Sequence, residues 1–274
     1  MEVTALKKKT FEIRRQALKM VYQAQTGHIG GTLSSIDYLT VLYYEKMRFD
    51  HNNPDWPGRD RFILSKGHSV EGYLSILADL GFFPKEELAT FCQFKTRLIG
   101  HPDRRVPGVE MNTGSLGHGL SAACGMALAS KRDNAPCRIY TLLGDGELGE
   151  GSVWEAAMFA GNYQLDNLYA AVDRNHLQIS GKTEEVMQLE PLRQKFESFG
   201  FATEVIDGNN IAEILAVLEK LEHISGKPKM ILLDTIKGKG VSFMENKAYW
   251  HHGLIDQDQY EQALADLAER EGTL

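Results

Sequence analysis

Residues 141–151 read TLLGDGELGEG, and Gly144, Gly146 and Gly149 in this stretch have the G-x-G-x-x-G spacing of a turn that binds a dinucleotide. The apolar run before the glycines predicts a buried strand, and the pattern after them predicts a helix. Such a turn brings backbone N–H groups close to a phosphate. Asp145 lies between the first two glycines, however, and its carboxylate repels a phosphate unless a positive group lies between them.

The composition sets limits on the class of protein. The chain has 274 residues, of which 43% are hydrophobic, enough to bury the core of one large domain. Its 30 Lys and Arg against 37 Asp and Glu give a formal net charge of −7, which argues against a nucleic-acid or anionic-membrane surface. Cys92, Cys124 and Cys137 have no paired spacing, so neither a disulfide framework nor a zinc site is indicated. With a charged amino terminus and no long apolar segment, we expect a cytoplasmic protein without a membrane span.

The hydrophobic pattern predicts alternating strands and helices. The first twenty or so residues have the spacing of an amphipathic helix that stops at Gly27, and helices are also predicted at 153–163 and after Asn210. Short apolar runs predict buried parallel strands at 139–143, 168–172, 203–206 and 230–233, with 62–64 as a further candidate. This order predicts a single α/β domain over residues 1–274, with a doubly wound, mainly parallel sheet and helices on both faces.

Two interpretations of the glycine turn remain open at this point. In the first, a dinucleotide binds, and Asp173 at the end of the next strand binds its ribose. In the second, a divalent cation lies between Asp145 and a diphosphate, because Mg²⁺ prefers hard oxygen ligands and is commonly shared between protein and phosphate. The second interpretation needs more oxygen ligands. Asn175 follows the neighbouring strand and offers an amide oxygen, and the carbonyl of Leu177 is a further candidate.

Several further motifs extend this pattern along the chain. From about residue 26 to residue 253 the sequence resembles the amino-terminal, thiamine-diphosphate-binding domain of the transketolase family. Besides the G-D-G turn with its later asparagine, the resemblance rests on T-G-H-I-G-G (26–31), S-K-G-H (65–68), G-H-P (100–102), P-G-V-E-M-N-T-G-S-L-G-H-G-L (107–120) and W-H-H-G (250–253). These motifs stand in the order that the family has.

The resemblance implies roles for four histidines. His68 and His252 are expected to help hold the diphosphate, His28 and His252 to donate to the substrate carbonyl as it becomes an oxyanion, and His101 to bind the first hydroxyl of the donor. Two histidines, His251 and His252, precede the final glycine where the family has one, so this assignment can shift by one position. We place it at His252, which adjoins Gly253.

The resemblance also assigns the cofactor contacts. The ligands of Mg²⁺, or of another divalent cation, are expected to be Asp145, Asn175 and Leu177. Further contacts with thiamine diphosphate are expected from Gly114 and Leu116 on the aminopyrimidine side, from the apolar side chain of Ile179, and from Gly146, Glu150 and Asn175. Glu150 and Glu155 match acids that link paired active sites, although an exposed helix face explains them almost as well. His118 stands where transketolases often have Gln, and no role is assigned to it.

The implied reaction is the transfer of a two-carbon ketol unit from a ketose donor, expected to be a sugar phosphate, to an aldose acceptor. In this family the glutamate that faces the aminopyrimidine belongs to a second domain. We therefore expect the pyrimidine-binding and C-terminal domains to be absent from residues 1–274 and a separately encoded pyrimidine-binding subunit to join an α2β2 complex. A non-catalytic module that binds the cofactor and an NAD-binding dehydrogenase are the alternatives.

Overall fold

A five-stranded parallel sheet forms the centre of the computed structural model, which describes residues 1–135 and 137–274. Its strands are β1 (Arg61–Leu64), β2 (Ile139–Gly144), β3 (Leu168–Arg174), β6 (Ala202–Asp207) and β7 (Lys229–Asp234), and the hairpin strands β4 (Leu177–Gln178) and β5 (Gly181–Lys182) lie apart from it. The strand order is β1-β2-β3-β7-β6, and every neighbouring pair is parallel. All the predicted strands, including 62–64, are therefore present.

Helices cover both faces of the sheet. One face packs against α1 (Val3–Ala24), α2 (Ile29–Val41), α3 (Val70–Asp79), α8 (Ile211–Glu222) and α9 (Gln257–Glu271). The other packs against α4 (Gly119–Arg132), α5 (Gly151–Asn162) and α7 (Leu192–Ser198), while the short α6 (Thr183–Val186) lies in the connection after β3. Short turns of 3-10 helix occur at Lys85–Thr90, Gly146–Gly149 and Ala248–His251, and α2 continues into a π-helical turn at Leu42–Lys46.

Side chains along each strand alternate between two cores. In β2, Tyr140 and Leu142 belong to the core under α1, α2, α3, α8 and α9, whereas Ile139 and Leu143 belong to the core under α4, α5 and α7. This alternation follows from the period of two in a strand. It confirms the prediction of a doubly wound α/β fold.

The sequence pattern did not predict α2. All of its residues are buried, from Ile29 to Val41, so it has no polar face and no amphipathic period to detect. The prediction for α1 was close but three residues too long. The helix ends at Ala24 because Gln25 adopts a left-handed conformation, with φ of 50°.

The strand register fixes where the site lies. Gly144 of β2 is level with Asp173 of β3, and Arg174 is level with Asp234 of β7. The carboxyl ends of β2, β3 and β7 therefore meet at one edge of the sheet, where doubly wound sheets bind ligands. No helix in the described part of the chain is long and apolar enough to cross a membrane.

Candidate functional site

A cavity of about 350 Å³ opens at the carboxyl ends of four strands. Lys66 follows β1, Asp145 follows β2, Asn175 follows β3 and Lys237 follows β7, and all four side chains line this cavity. The predicted ligands Asp145, Asn175 and Leu177 are thus brought together on one wall. The fold therefore assembles the oxygen donors that the sequence indicated.

Asp145 is held in one orientation by three donors. Its Oδ1 accepts from the backbone N–H of Gly146 at 2.8 Å, and its Oδ2 accepts from the backbone N–H of His176 at 2.7 Å and from Nη1 of Arg174 at 3.1 Å. Burial and the nearby charge of Asp173 raise the pKa of this carboxyl group, while Arg174 and the hydrogen bonds oppose the shift. A nearby cation would favour its ionised form.

Asn175 is oriented by both ends of its amide. Its Nδ2 donates to Oδ2 of Asp173 at 3.0 Å, and its Oδ1 accepts from the backbone N–H of Leu177 at 3.2 Å. No group of three or more His, Cys, Asp or Glu side chains among residues 1–135 and 137–274 is arranged to hold a metal by itself. A carboxylate, an amide and a backbone carbonyl beside phosphate oxygens are, however, a donor set that suits Mg²⁺. The residues present therefore fit a cation bound together with a diphosphate.

Two buried lysines give the cavity its positive charge. Nζ of Lys66 donates to the carbonyl of Gly31 at 2.9 Å and also contacts Asp173. Nζ of Lys237 lies 3.2 Å from Nδ1 of His251, and burial, with the charge of Lys66, lowers the pKa of Lys237 to about 8. No role in the site was predicted for either lysine. Lys66 was detectable as the second residue of the S-K-G-H motif, and Lys237 as a lysine just after a strand.

Asp173 is a structural acid and does not bind a ribose. It has no exposed surface, and it accepts from Oγ of Ser34 at 2.7 Å and from Nδ2 of Asn175 at 3.0 Å, with further contacts to Lys66 and Thr235. Four donors already surround it, so no ribose hydroxyl can reach it. The dinucleotide interpretation, which needs this carboxylate, is not supported.

Five histidines form a cluster beside the cavity. The ring centroid of His28 lies 4.7 Å from that of His252, 5.3 Å from that of His68, 5.6 Å from that of His251 and 6.0 Å from that of His101. Nδ1 of His28 is buried and has no hydrogen-bond partner within the described residues. Histidines from four separate sequence motifs are therefore within reach of one small ligand.

The environment keeps most of these histidines neutral. Burial, then the nearby His252, His101 and Lys237, lowers the pKa of His28 to about 4. Burial, then Lys237, lowers the pKa of His251 to about 3, and burial lowers those of His68 and His101 as well. A neutral imidazole donates through one nitrogen and accepts through the other. At neutral pH these rings can therefore donate a hydrogen bond without carrying a positive charge.

The two histidines before the final glycine have different positions. His251 lines the cavity, whereas His252 does not and packs instead against His28. The geometry favours His251 for the role beside the diphosphate that the sequence assigned to His252. The second role expected of His252, donation to the substrate, stays a prediction consistent with its contact with His28.

The other predicted cofactor contacts mostly line the cavity. These are His68, Gly114, Leu116, Gly146 and Ile179. Gly114 has φ of +137°, and a Cβ atom there would lie 2.6 Å from Cδ2 of His101, so only glycine lets the chain pass this ring. The side chain of Ile179 is 75% exposed at the mouth of the cavity. It can therefore cover an apolar part of a ligand that projects outward.

Of the acidic residues near the turn, Glu147 lines the cavity, whereas the predicted cofactor contact Glu150 does not. Glu150 and Glu155 are exposed, and Glu150 lies outside the cavity lining. Glu147 is instead buried in the wall, where it accepts from the backbone N–H groups of Gly117 at 2.9 Å and of Gly144 at 3.0 Å. No contact with the cofactor or the metal was predicted for Glu147. The cavity geometry gives no support to Glu150 as a cofactor contact.

His118, which had no assigned role, lies at the start of α4. Its side chain is exposed, and its Nδ1 lies 3.1 Å from the carbonyl of Leu116. Through this contact it touches the backbone of a residue that lines the cavity.

Comparison with known proteins shows the family to which the chain belongs. The chain matches the family described as "Transketolase, thiamine diphosphate binding domain" over residues 6–268. It is 46% identical to a subunit of the apulose-4-phosphate transketolase of Phocaeicola vulgatus, over 98% of this chain and 96% of that protein. It is 48% identical to the 6-deoxy-6-sulfo-D-fructose transketolase subunit SqwG of a Clostridium species, over 95% of this chain and 94% of that protein.

Full-length transketolases match over part of their length. Human transketolase is 36% identical over 97% of this chain, which spans 42% of that protein. The crystal structure of transketolase from Campylobacter jejuni superimposes with a TM-score of 0.92 and 32% identity, over 99% of this chain and 43% of that one. The fold and the matching family model are those of a thiamine-diphosphate-binding α/β domain. The chain belongs to the transketolase family.

Proposed function

We propose that this chain is the diphosphate-binding subunit of a two-subunit transketolase. The complex transfers a two-carbon ketol unit from a ketose phosphate donor to an aldose acceptor. The observation that supports this most strongly is the convergence of Lys66, Asp145, Asn175 and Lys237 from four strand ends on one cavity, with the histidine cluster beside it. A dinucleotide site does not require this combination.

The polar wall of the cavity suits a magnesium diphosphate. Asp145, Asn175 and the backbone of Leu177 would hold the cation, while Lys66, Lys237, His68 and His251 would face the anion. Thiamine diphosphate, when bound, supplies the carbanion chemistry that cleaves and re-forms the ketose carbon–carbon bond. The chain's own part is to bind and orient this group.

The histidine cluster suits the substrate end of the site. His28 and His252 would donate to the substrate carbonyl oxygen as negative charge develops on it, and a positioned donor of this kind contributes about 3 kcal/mol. Because burial lowers the pKa of His28 to about 4, it donates as a neutral imidazole at pH 7. His101, which is held against Gly114, would bind the first hydroxyl of the donor.

A partner subunit completes the proposal. The chain covers 96% of the Phocaeicola vulgatus protein, which is itself one subunit of a transketolase, but 42% of human transketolase. Because that relative is named as a subunit, it supports placing the remaining parts of the family's active site on a separate chain. We propose a pyrimidine-binding partner in an α2β2 assembly. A cytoplasmic location suits Cys92, Cys124 and Cys137, which are free thiols.

Reconstitution tests this function. The purified chain would be mixed with Mg²⁺, thiamine diphosphate, a ketose phosphate and an aldose, with and without a pyrimidine-binding subunit from the same genome. Transfer is expected only when both subunits are present, and a panel of donors and acceptors would then define the substrates. Robust transfer by this chain alone would contradict the two-subunit proposal. Magnesium-dependent binding without transfer by the pair would instead identify a non-catalytic module, and magnesium-independent NAD binding would contradict the cofactor itself.

A further inference from the structure

Arg174 is a buried charge to which no motif assigns a role. It is the last residue of β3 and is only 5% exposed. Its Nη1 donates to Oδ2 of Asp145 at 3.1 Å and also contacts Oγ1 of Thr183, while its Nη2 donates to Oε1 of Glu184 at 2.7 Å and lies 3.4 Å from Oε1 of Glu190. One guanidinium group thus has four side-chain partners.

These partners come from different parts of the chain. Asp145 belongs to the turn after β2, Thr183 and Glu184 to α6, and Glu190 to the stretch before α7. Segment 175–190 follows β3 and contains Thr183, Glu184 and Glu190. It also carries part of the cavity wall: Asn175, Leu177, Gln178, Ile179 and Ser180. Arg174 therefore ties the segment that forms one wall of the cavity to the turn that carries Asp145.

The charge of Arg174 does not by itself explain its position. A guanidinium next to a metal-binding carboxylate repels the cation, so through charge alone Arg174 weakens metal binding. Its planar fork, in contrast, fixes several acceptors in one geometry, which the point charge of a lysine cannot do. If geometry dominates, loss of the fork weakens metal binding, and if charge dominates, loss of the arginine strengthens it. The two effects have opposite signs.

We propose that Arg174 is a positioning residue that orders segment 175–190 against Asp145 and so preorganises the metal and diphosphate site. The inference about the ligand rests on the proposed function. The inference about the segment does not, because it rests only on contacts between side chains of this chain.

Hydrogen exchange of the ligand-free chain tests the ordering. Peptides from segment 175–190 should exchange at least about tenfold faster in Arg174→Lys and Glu184→Gln than in the wild type. Glu185→Gln is the matched control, because Glu185 is next in sequence but, among residues 1–135 and 137–274, pairs only with the exposed Lys182, at 3.2 Å. Unchanged exchange in both test variants would overturn the proposal. The side chain of Glu184 is partly exposed, at 40%, so Glu184→Gln stays informative even if Arg174→Lys does not fold.

Metal titration tests the consequence for the site. Calorimetry at fixed thiamine diphosphate, on the chain combined with its partner, should show an apparent Mg²⁺ affinity about 10- to 100-fold weaker in Arg174→Lys, as for other residues that orient metal ligands. Glu184→Gln should weaken it less, and Glu185→Gln should not change it. Equal or tighter binding in both test variants would overturn the positioning role. If the wild type itself binds the cofactor without metal, the proposed function fails, while the exchange experiment still decides whether Arg174 orders the segment.

Discussion

Nδ1 of His251 lies 3.2 Å from Nζ of Lys237 in the cavity wall, while the adjacent His252 packs against His28 with ring centroids 4.7 Å apart. Two neighbouring histidines thus face two different parts of the site. Since the 3-10 turn Ala248–His251 ends between them, the backbone changes direction at this point and separates the two rings. Single substitutions of His251 and His252 can therefore test whether the two side chains have different roles.

His251→Ala should weaken binding of magnesium thiamine diphosphate, because it removes a side chain that lines the diphosphate cavity. His252→Ala should leave cofactor affinity within about twofold and lower kcat of the reconstituted pair by about 100-fold, as expected when a donor to developing charge is lost. Calorimetry and steady-state kinetics measure the two effects. The reverse pattern would restore the assignment of the diphosphate contact to His252.

Lys237 should make cofactor binding depend on pH. Burial and the charge of Lys66 lower its pKa to about 8, so the ligand-free chain loses this positive charge as the pH rises through 8. Binding of an anion favours the protonated form, and affinity at saturating Mg²⁺ should therefore fall by up to about tenfold per pH unit above 8. Fluorescence titration from pH 6.5 to 9.5 measures this.

The matched control for that experiment is Lys237→Arg. Its guanidinium stays charged throughout this range, so its profile should be nearly flat and should report only the titration of the ligand and of other groups. Profiles with the same slope in the two proteins would show that Lys237 does not titrate in the site.

Asp145→Asn should abolish the metal dependence of cofactor binding. The amide keeps the shape of the side chain but removes the negative charge that attracts the cation, and one of the two oxygen acceptors becomes an NH2 donor. Equilibrium binding of thiamine diphosphate with and without Mg²⁺ measures this, and circular dichroism checks the fold. Asp55→Asn, at an exposed position, is the control. Metal dependence that is unchanged in Asp145→Asn would mean that the cation is held elsewhere.

Asp173→Asn should destabilise the fold as well as the site. Asp173 is fully buried against Lys66, and removing one partner of a buried ion pair costs about 3–5 kcal/mol because the other charge remains unpaired. Urea unfolding measures the change. Arg193→Ala, which breaks the exposed pair of Arg193 with Glu197 at 2.8 Å, should change the free energy of unfolding by no more than about 0.5 kcal/mol. Similar values for both variants would contradict the structural role of Asp173.

The sequence predicted the sheet well because its strands are short, mainly apolar runs. Burial of β2 and β3 on both faces leaves no polar position in most of their length, and the glycines after β2 mark the turn. The same turn led to Asp145, and spacing then led to Asn175. Both residues directly follow the end of a strand, so their positions in the sequence were enough to place them at the same edge of the sheet.

Other parts of the site depend on packing that the sequence does not display. Helix α2 is buried all round, so its pattern resembles neither a strand nor an amphipathic helix. Lys66 and Lys237 are buried charges, and burial of a lysine is not visible in its neighbours in sequence. The different directions of His251 and His252 likewise depend on one change in the backbone.

The four strand ends that supply the cavity have a thermodynamic consequence. Because Lys66, Asp145, Asn175 and Lys237 follow β1, β2, β3 and β7, the cavity exists only while these four strands are aligned. A ligand that bridges them binds the native state and not the unfolded chain, and at 100 times its Kd it adds about 2.7 kcal/mol to the free energy of unfolding. Ligand binding therefore stabilises the whole sheet, and unfolding of the sheet abolishes ligand binding.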